Sequence, residues 1–276
     1  MIETSVIIPT FNRLNFLKEA IDSVLTQSYA TLELLIVDDG STDGTAEFVA
    51  SLNDRVRTFN QPNHGPSAAR NFGIRQARGE FIAFLDSDDL WLPDKLKTQI
   101  DFMHRNPRAV VCYTDEIWIR KGVRVNPRKK HAKHSGWIFE KCLPLCIVSP
   151  SSVLMRRSFF DQVGFFDEGL GACEDYDLWL RASLYFPFYL LPEKLIVKRG
   201  GHADQLSAQW GLDVYRLRAL LNILNSPLLP ASKQERVRQE IISRCGILEI
   251  GFRNRGKIEQ ADQYANLARK VAVTAI

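Results

Sequence analysis

Three unbroken apolar runs constrain this chain more than any other feature: Val6-Ile7-Ile8, Leu34-Leu35-Ile36-Val37 and Phe81-Ile82-Ala83-Phe84-Leu85. A strand with one wet face alternates apolar and polar residues, so continuous runs predict strands covered on both faces. Between them lie helical patterns. Phe16, Leu17, Ala20, Ile21, Val24 and Leu25 recur along one helix face, and further helices are expected over 45–52 and 68–78. A short strand near 56–59 completes the series. Such strand-helix-strand repetition implies an α/β chain with a mostly parallel, doubly wound (Rossmann-like) sheet and right-handed crossovers.

Sheets of that kind bind ligands at the carboxyl ends of their strands. The segments leaving those ends are PTFNR, DDGSTDG and DSDDLW. One acid before a helix starting near Pro93 is explained by capping and the helix dipole. Three are not. Asp86, Asp88 and Asp89 crowd like charges that must take up protons or a cation. An all-oxygen set favours Mg2+ or Mn2+ over zinc or copper, with substrate phosphates completing the shell. Asp38-Asp39-Gly40-Ser41 alone reads as a turn. Beside the first cluster, one of its carboxylates could accept a nucleobase N–H or a ribose hydroxyl.

The rest of the chain is less regular. A helix is expected over 93–105, with strands near 109–114, 116–125, 152–155 and 188–191 and a helix over 174–184. From about 205 onward the pattern is helical only, over 212–224, 233–252 and 257–273, and is read as an appendage. Residues 1–100 carry 9 Lys and Arg against 14 Asp and Glu, whereas 101–276 carry 27 against 18. An acidic half joined to a basic half suggests two jobs. The basic half lacks a strong cluster of interleaved aromatics and arginines, which ranks nucleic acid lowest as a partner. The loop NPRKKHAKHSG reads first as a solvated excursion, with an acceptor or anionic-membrane contact as the alternative. Five cysteines show no framework spacing, which suggests free thiols in a reducing cytoplasm. No basic leader or membrane-spanning run is seen, so a cytoplasmic chain, with a possible peripheral membrane contact, is expected.

PTFNR, VDDGSTDGT and NHGPSAARNFGIRQARGEFIAFLDSDD, in that order and spacing over residues 4–94, closely resemble the nucleotide-sugar-binding half of family-2 inverting glycosyltransferases with the GT-A fold. GFFDEGL and CEDYDLWLRA extend the resemblance to about residue 207. It implies a nucleotide-sugar-binding half over 1–105, an acceptor and catalytic-base half over 106–207, and the helical appendage over 208–276. On this resemblance Pro9, Thr10, Phe11, Asn12 and Arg13 border the nucleobase and ribose, Asp39 contacts the base and Asp38 supports the site. Arg70 reaches the nucleotide. Asp86, Ser87 and Asp88 form the DxD, with Asp88 a metal ligand, Asp86 directed toward ribose or metal, and Asp89 within reach. Asp175 is the general base, Glu174 orients it or touches the acceptor, and His202 closes over metal or diphosphate, with Lys198 and Arg199 as alternatives. The implied reaction is metal-dependent, inverting transfer from a nucleoside-diphosphate sugar, with a UDP-linked donor expected, to a carbohydrate or lipid-linked acceptor hydroxyl in cell-surface polysaccharide or lipopolysaccharide assembly. Two competing readings are a catalytically dead binding or scaffold protein on the same fold, and a sugar-nucleotide nucleotidyltransferase. The latter needs a glycine-rich first loop, and PTFNRLN has no glycine.

Overall fold

A computed structural model describes residues 2–52, 56–202, 205 and 209–273. Four strands form the parallel half of the sheet: β1 (Thr4–Thr10), β2 (Leu32–Asp38), β3 (Val56–Asn60) and β4 (Phe81–Phe84), in the order β3-β2-β1-β4. The helices between them are α1 (Leu14–Leu25), α2 (Thr45–Ala50) and α3 (Pro66–Gln76). Pro9 lies inside β1, although a proline commonly ends a strand. Ile7 accepts a hydrogen bond from Leu85 on the β4 side, and Thr10 accepts one from Asp39 on the β2 side. Pro9 is in phase with Ile7 and faces the side where β4 has already ended, so its missing N–H costs no ladder bond.

Beyond β4 the sheet is mixed, not mostly parallel. The later strands are β5 (Leu90–Trp91), β6 (Val111–Arg120), β7 (Val123–Val125), β8 (Val153–Arg156) and β9 (Tyr189–Gly200). The order continues β4-β8-β6-β9-β5, with β7 on β6. The β4–β8, β8–β6, β9–β5 and β6–β7 pairs are antiparallel, while β6–β9 is parallel. The intervening helices are α4 (Lys95–Arg105), α5 (Phe139–Cys142), α6 (Ser158–Val163) and α7 (Glu174–Tyr185). Only the first half repeats the strand-helix rhythm that forces parallel pairing; afterwards β6 and β7 form a tight hairpin, and the other antiparallel pairs join segments far apart in the chain. The β6–β9 register slips between Thr114 and Glu116. An irregularity of this kind re-aims the side chains that follow it.

Alternate strand residues feed two cores, as burial on both faces requires. Val6, Ile8, Leu34, Ile36, Phe81 and Ala83 meet Leu17, Ile21 and Val24 of α1 and Leu96, Ile100 and Met103 of α4. Ile7, Leu35, Ile82 and Phe84 belong to the other core, with Ile74 of α3 and Trp179 of α7. Each fully buried Leu or Ile there contributes about 2 kcal/mol relative to exposure. The tail helices α8 (Leu212–Leu224), α9 (Ala231–Arg253) and α10 (Ile258–Val273) join the second core through residues including Leu217, Leu220, Ile223 and Ile241. No helix among the described residues is long and apolar enough to cross a membrane.

Candidate active site

The ends of β1, β2 and β4 open into one cleft of about 1160 Å³, whose opposite wall is the start of α7 and the last residues of β9. Pro9 to Arg13, Asp39, Arg70, Asp86 to Asp89, Glu174 and Asp175 all line it. The parallel half brings the acids to one edge because its strands all point the same way. β8, paired antiparallel to β4, then leads through α6 to α7 across from them.

Individual contacts show what each side chain is held by. Asn12 has φ +51°, a left-handed conformation open to asparagine. Its N–H donates to Ser41 Oγ at 2.8 Å and its Oδ1 accepts from the Thr42 N–H at 2.7 Å. This clamps the PTFNR turn to the DDGST turn and aims the next residue, Arg13, whose Nη1 lies 2.6 Å from Asp88 Oδ2. Phe11 leaves 43% of its surface exposed at the cleft. Ser87 is buried between the acids. Arg70 is no surface charge: it is 4% exposed, donates to Asp86 Oδ1 at 2.6 Å and Glu174 Oε1 at 2.7 Å, and lies over the Phe166 ring. A guanidinium can hold two carboxylates at once because its donors form a rigid fork.

Two acids are committed to the protein. Asp39, expected against a base, accepts from Gln61 Nε2 and the His64 N–H on Oδ1, and from the Gly65 N–H on Oδ2. It thereby fixes the loop that starts α3. Asp89, expected within reach of a metal, is 2% exposed; its Oδ2 accepts from Ser151 Oγ at 2.7 Å and its Oδ1 from the Arg199 N–H at 2.9 Å. Burial, reinforced by Asp88 and Asp86, pushes its pKa well above the usual carboxylate range. Asp38 is buried beneath the site, accepting from Ser41 and Asn60.

Asp175 is the second residue of α7, after Glu174 and the N-cap Cys173, which has φ +61°. Burial, with repulsion from Glu174, raises its pKa to about 6, against the opposing pull of Lys198 and Arg70. The Cys146 thiol lies 3.3 Å from Asp175 Oδ2. Lys198 Nζ donates to Ser149 Oγ at 3.3 Å, and its charge is held by Glu116, Asp89, Asp86 and Asp175 together.

Does the donor set suit a divalent cation? His202 packs on Phe16 with ring centroids 4.5 Å apart, and its Nε2 lies 3.9 Å from Asp88 Oδ2. That nitrogen is shielded and has no hydrogen-bond partner. The pair is a nitrogen and an oxygen donor, not an all-oxygen set, and Asp88 Oδ2 is also held by Arg13, so a hard cation here would draw most of its ligands from outside the protein. Among the described residues no ready-made group of three His, Cys, Asp or Glu exists for a metal. Substrate oxygens or water would have to complete the shell.

Several cleft residues carried little signal in the sequence. Ser151 binds Asp89, accepts from the Asp86 N–H at 3.1 Å and gives its carbonyl to Trp91 Nε1 at 2.8 Å. A polar Ser-Pro-Ser-Ser stretch between apolar segments was the available hint. Cys146 and Glu116 reach the cleft only through strand pairing and loop packing.

A cleft of paired acidic turns at the exits of a half-parallel, half-mixed sheet, closed by an acid-tipped helix, defines the GT-A class of fold. The chain superposes on the S. aureus TarS 1–349 crystal structure in complex with UDP-GlcNAc with a TM-score of 0.69, covering 98% of this chain and 92% of that one at 18% identity. At that identity the likeness is one of fold. Residues 5–164 match Glycosyl transferase family 2. The chain belongs to that family. It is 38% identical over 186 residues to a Rickettsia felis protein named only as an uncharacterized glycosyltransferase, covering 64% of this chain and 30% of that protein. It is also 35% identical over 181 residues to the Escherichia coli UDP-Glc:alpha-D-GlcNAc-diphosphoundecaprenol beta-1,3-glucosyltransferase WfgD, covering 64% and 68% respectively. The chain spans less than two thirds of the length of the Rickettsia relatives it matches.

Proposed function

We propose that the chain is a metal-dependent, inverting glycosyltransferase that moves a sugar from a nucleoside-diphosphate donor to an acceptor hydroxyl, with Asp175 as general base. One observation carries this reading: the DxD acids and an aspartate with pKa about 6 line the same cleft, joined through the Asp86–Arg70–Glu174 chain. A base must be ionised at working pH yet basic enough to accept a proton, and a carboxylate near 6 meets both demands. The UDP-GlcNAc bound to TarS and the UDP-glucose donor in the WfgD name support a UDP-sugar.

Asp88, His202 and, toward the donor, Asp86 would hold Mn2+ or Mg2+; the ion would neutralise charge developing on the leaving diphosphate. Asp175 takes the proton from the acceptor hydroxyl as its oxygen attacks the anomeric carbon from the face opposite the diphosphate, which inverts the configuration. Glu174, fixed by Arg70, keeps the start of α7 in place, and its charge raises the basicity of its neighbour. Phe11 and the 9–13 turn border the base and ribose, with Asp39 supporting them through the 61–65 loop. Cell-surface polysaccharide assembly on a carbohydrate or lipid-linked acceptor, with a peripheral membrane contact, is the setting we infer.

Thermal stabilisation by UDP with and without Mn2+, followed by a donor-hydrolysis assay, tests the reading. UDP should stabilise the chain only with metal, and sugar should be released from a UDP-sugar. Stabilisation that survives chelation, with no sugar release from any donor, would mark a scaffold. Pyrophosphate release from UTP and a sugar phosphate would mark a nucleotidyltransferase.

A further inference from the structure

Between residues 117 and 139 the chain has seven lysines and arginines, two histidines and no aspartate or glutamate. A charge run on a solvated hairpin needs no further explanation, but this one borders the cleft. Arg120, Lys130 and His131 line the same cavity as Asp175, around the half-buried indole of Trp118. His131 packs edge-on to that indole at 4.9 Å, the Arg120 guanidinium lies 5.5 Å from its centre, and Trp118 Nε1 is anchored on Glu116 Oε1 at 2.8 Å. Lys133 is neutralised by Glu116, 3.3 Å away. Arg120 and Lys130 are exposed and have no carboxylate partner among the described residues. Their charge is left over, and it points at the cleft. The His131 imidazole registers it: burial, then Lys130, Lys198 and Arg120, hold its pKa below the usual range.

An aromatic ring with Arg120 over it, in a cleft that Lys130 also lines, and with neither cation paired to a carboxylate among the described residues, suits a sugar with an anionic substituent. The C–H face of the ring packs on indole, and phosphate oxygens accept from guanidinium and ammonium donors. We propose that Trp118, Arg120 and Lys130 form an acceptor subsite for a sugar carrying a phosphate or diphosphate on the ring that receives the transferred sugar. The inference rests on the glycosyltransferase reading above and adds the acceptor class to it.

The test uses the full chain. UDP affinity with Mn2+ is measured first by calorimetry. The chain saturated with UDP and Mn2+ is then titrated with decyl and methyl diphosphate esters of glucose, galactose and N-acetylglucosamine, and with the uncharged decyl glycosides. At least one diphosphate ester should bind about tenfold more tightly than its neutral counterpart, the scale of a charge-assisted contact. Arg120→Gln combined with Lys130→Gln should erase that preference, while Arg124→Gln, on β7 outside the cleft, should keep it. A decyl ester stronger than the methyl ester assigns a lipid-linked acceptor; equal strength assigns a soluble one. No preference across the panel, or a preference that survives the double variant, overturns the subsite while UDP binding still supports the donor reading. Failure of UDP to bind removes both. Should the double variant lose only its sedimentation with phosphatidylglycerol vesicles, the patch is a membrane contact and the subsite is refuted.

Discussion

At Asp175 burial and Glu174 oppose ionisation while Lys198 and Arg70 favour it, and burial wins. The sign of two consequences follows. With a folded pKa near 6 against an ordinary value of 3.8, the folded chain binds more protons than the unfolded chain between those values. This carboxyl's contribution to stability therefore falls as pH rises from about 4 to 6, and the general-base role proposed for it would need the ionised form that lies above 6. Asp175→Asn should collapse transfer while UDP binding stays near normal. Its melting temperature should exceed that of the wild type at pH 8 and approach it near pH 4, as differential scanning calorimetry would show; no gain at pH 8 argues against a buried, ionised base. The wild-type turnover should drop about tenfold per pH unit below 6, the limb expected of a single base. Asp88→Ala should abolish metal-dependent UDP binding, read by titration with and without Mn2+. Retained affinity would remove Asp88 from the ligand set.

The element scale turns on how close α3 comes to the sheet. A Cβ on Gly73 would stand 2.5 Å from Ile7 Cγ2, and one on Gly79 would stand 2.6 Å from the Ser5 backbone nitrogen. Backbone cannot step aside as a side-chain tip can, so Gly79→Ala should cost about 1–3 kcal/mol in urea unfolding. That close approach is what lets Arg70, one turn before Gly73, span from Asp86 to Glu174. Lysine has a compact ammonium without the planar fork of guanidinium and cannot reproduce the two opposed contacts to Asp86 and Glu174. Arg70→Lys should therefore lower turnover by about tenfold or more with a smaller effect on UDP binding, since one buried acid is left unpaired at a cost of about 1–3 kcal/mol. Equal losses in turnover and UDP affinity would make Arg70 a nucleotide contact instead.

Across the whole molecule, the tail is part of the packing. Leu217, Leu220 and Ile223 of α8 share a buried cluster with Trp179 and Leu180 of α7, the helix that carries Asp175. Arg244 of α9 reaches back to Asp213 at 2.9 Å and to the Pro144 carbonyl in the loop beside Cys146. A chain cut after residue 207 should lose its near-ultraviolet circular dichroism and its UDP-dependent stabilisation together. A truncated chain that keeps both would show the tail to be a separable appendage.

The strand-helix rhythm of the first hundred residues, the two-faced burial of its strands and the acids at their exits were all legible in order along the chain. They depend on local hydrophobic pattern and on the common direction of parallel strands. That Asp86, Asp88 and Asp175 would share one cleft followed from the acidic strand exits and, for Asp175, from the family resemblance alone. What the linear order could not carry was pairing between distant segments: the antiparallel entry of β8 and β6, the two-residue β5, and the sharing of α7 between catalytic cleft and tail core. The same holds for the commitment of Asp39 and Asp89 to backbone N–H groups, for Lys198 among four carboxylates, and for Cys146 against Asp175. A side chain's partner is set by which segment folding lays beside it, and the free energy of that choice is summed over the whole core, so only the tertiary structure decided it.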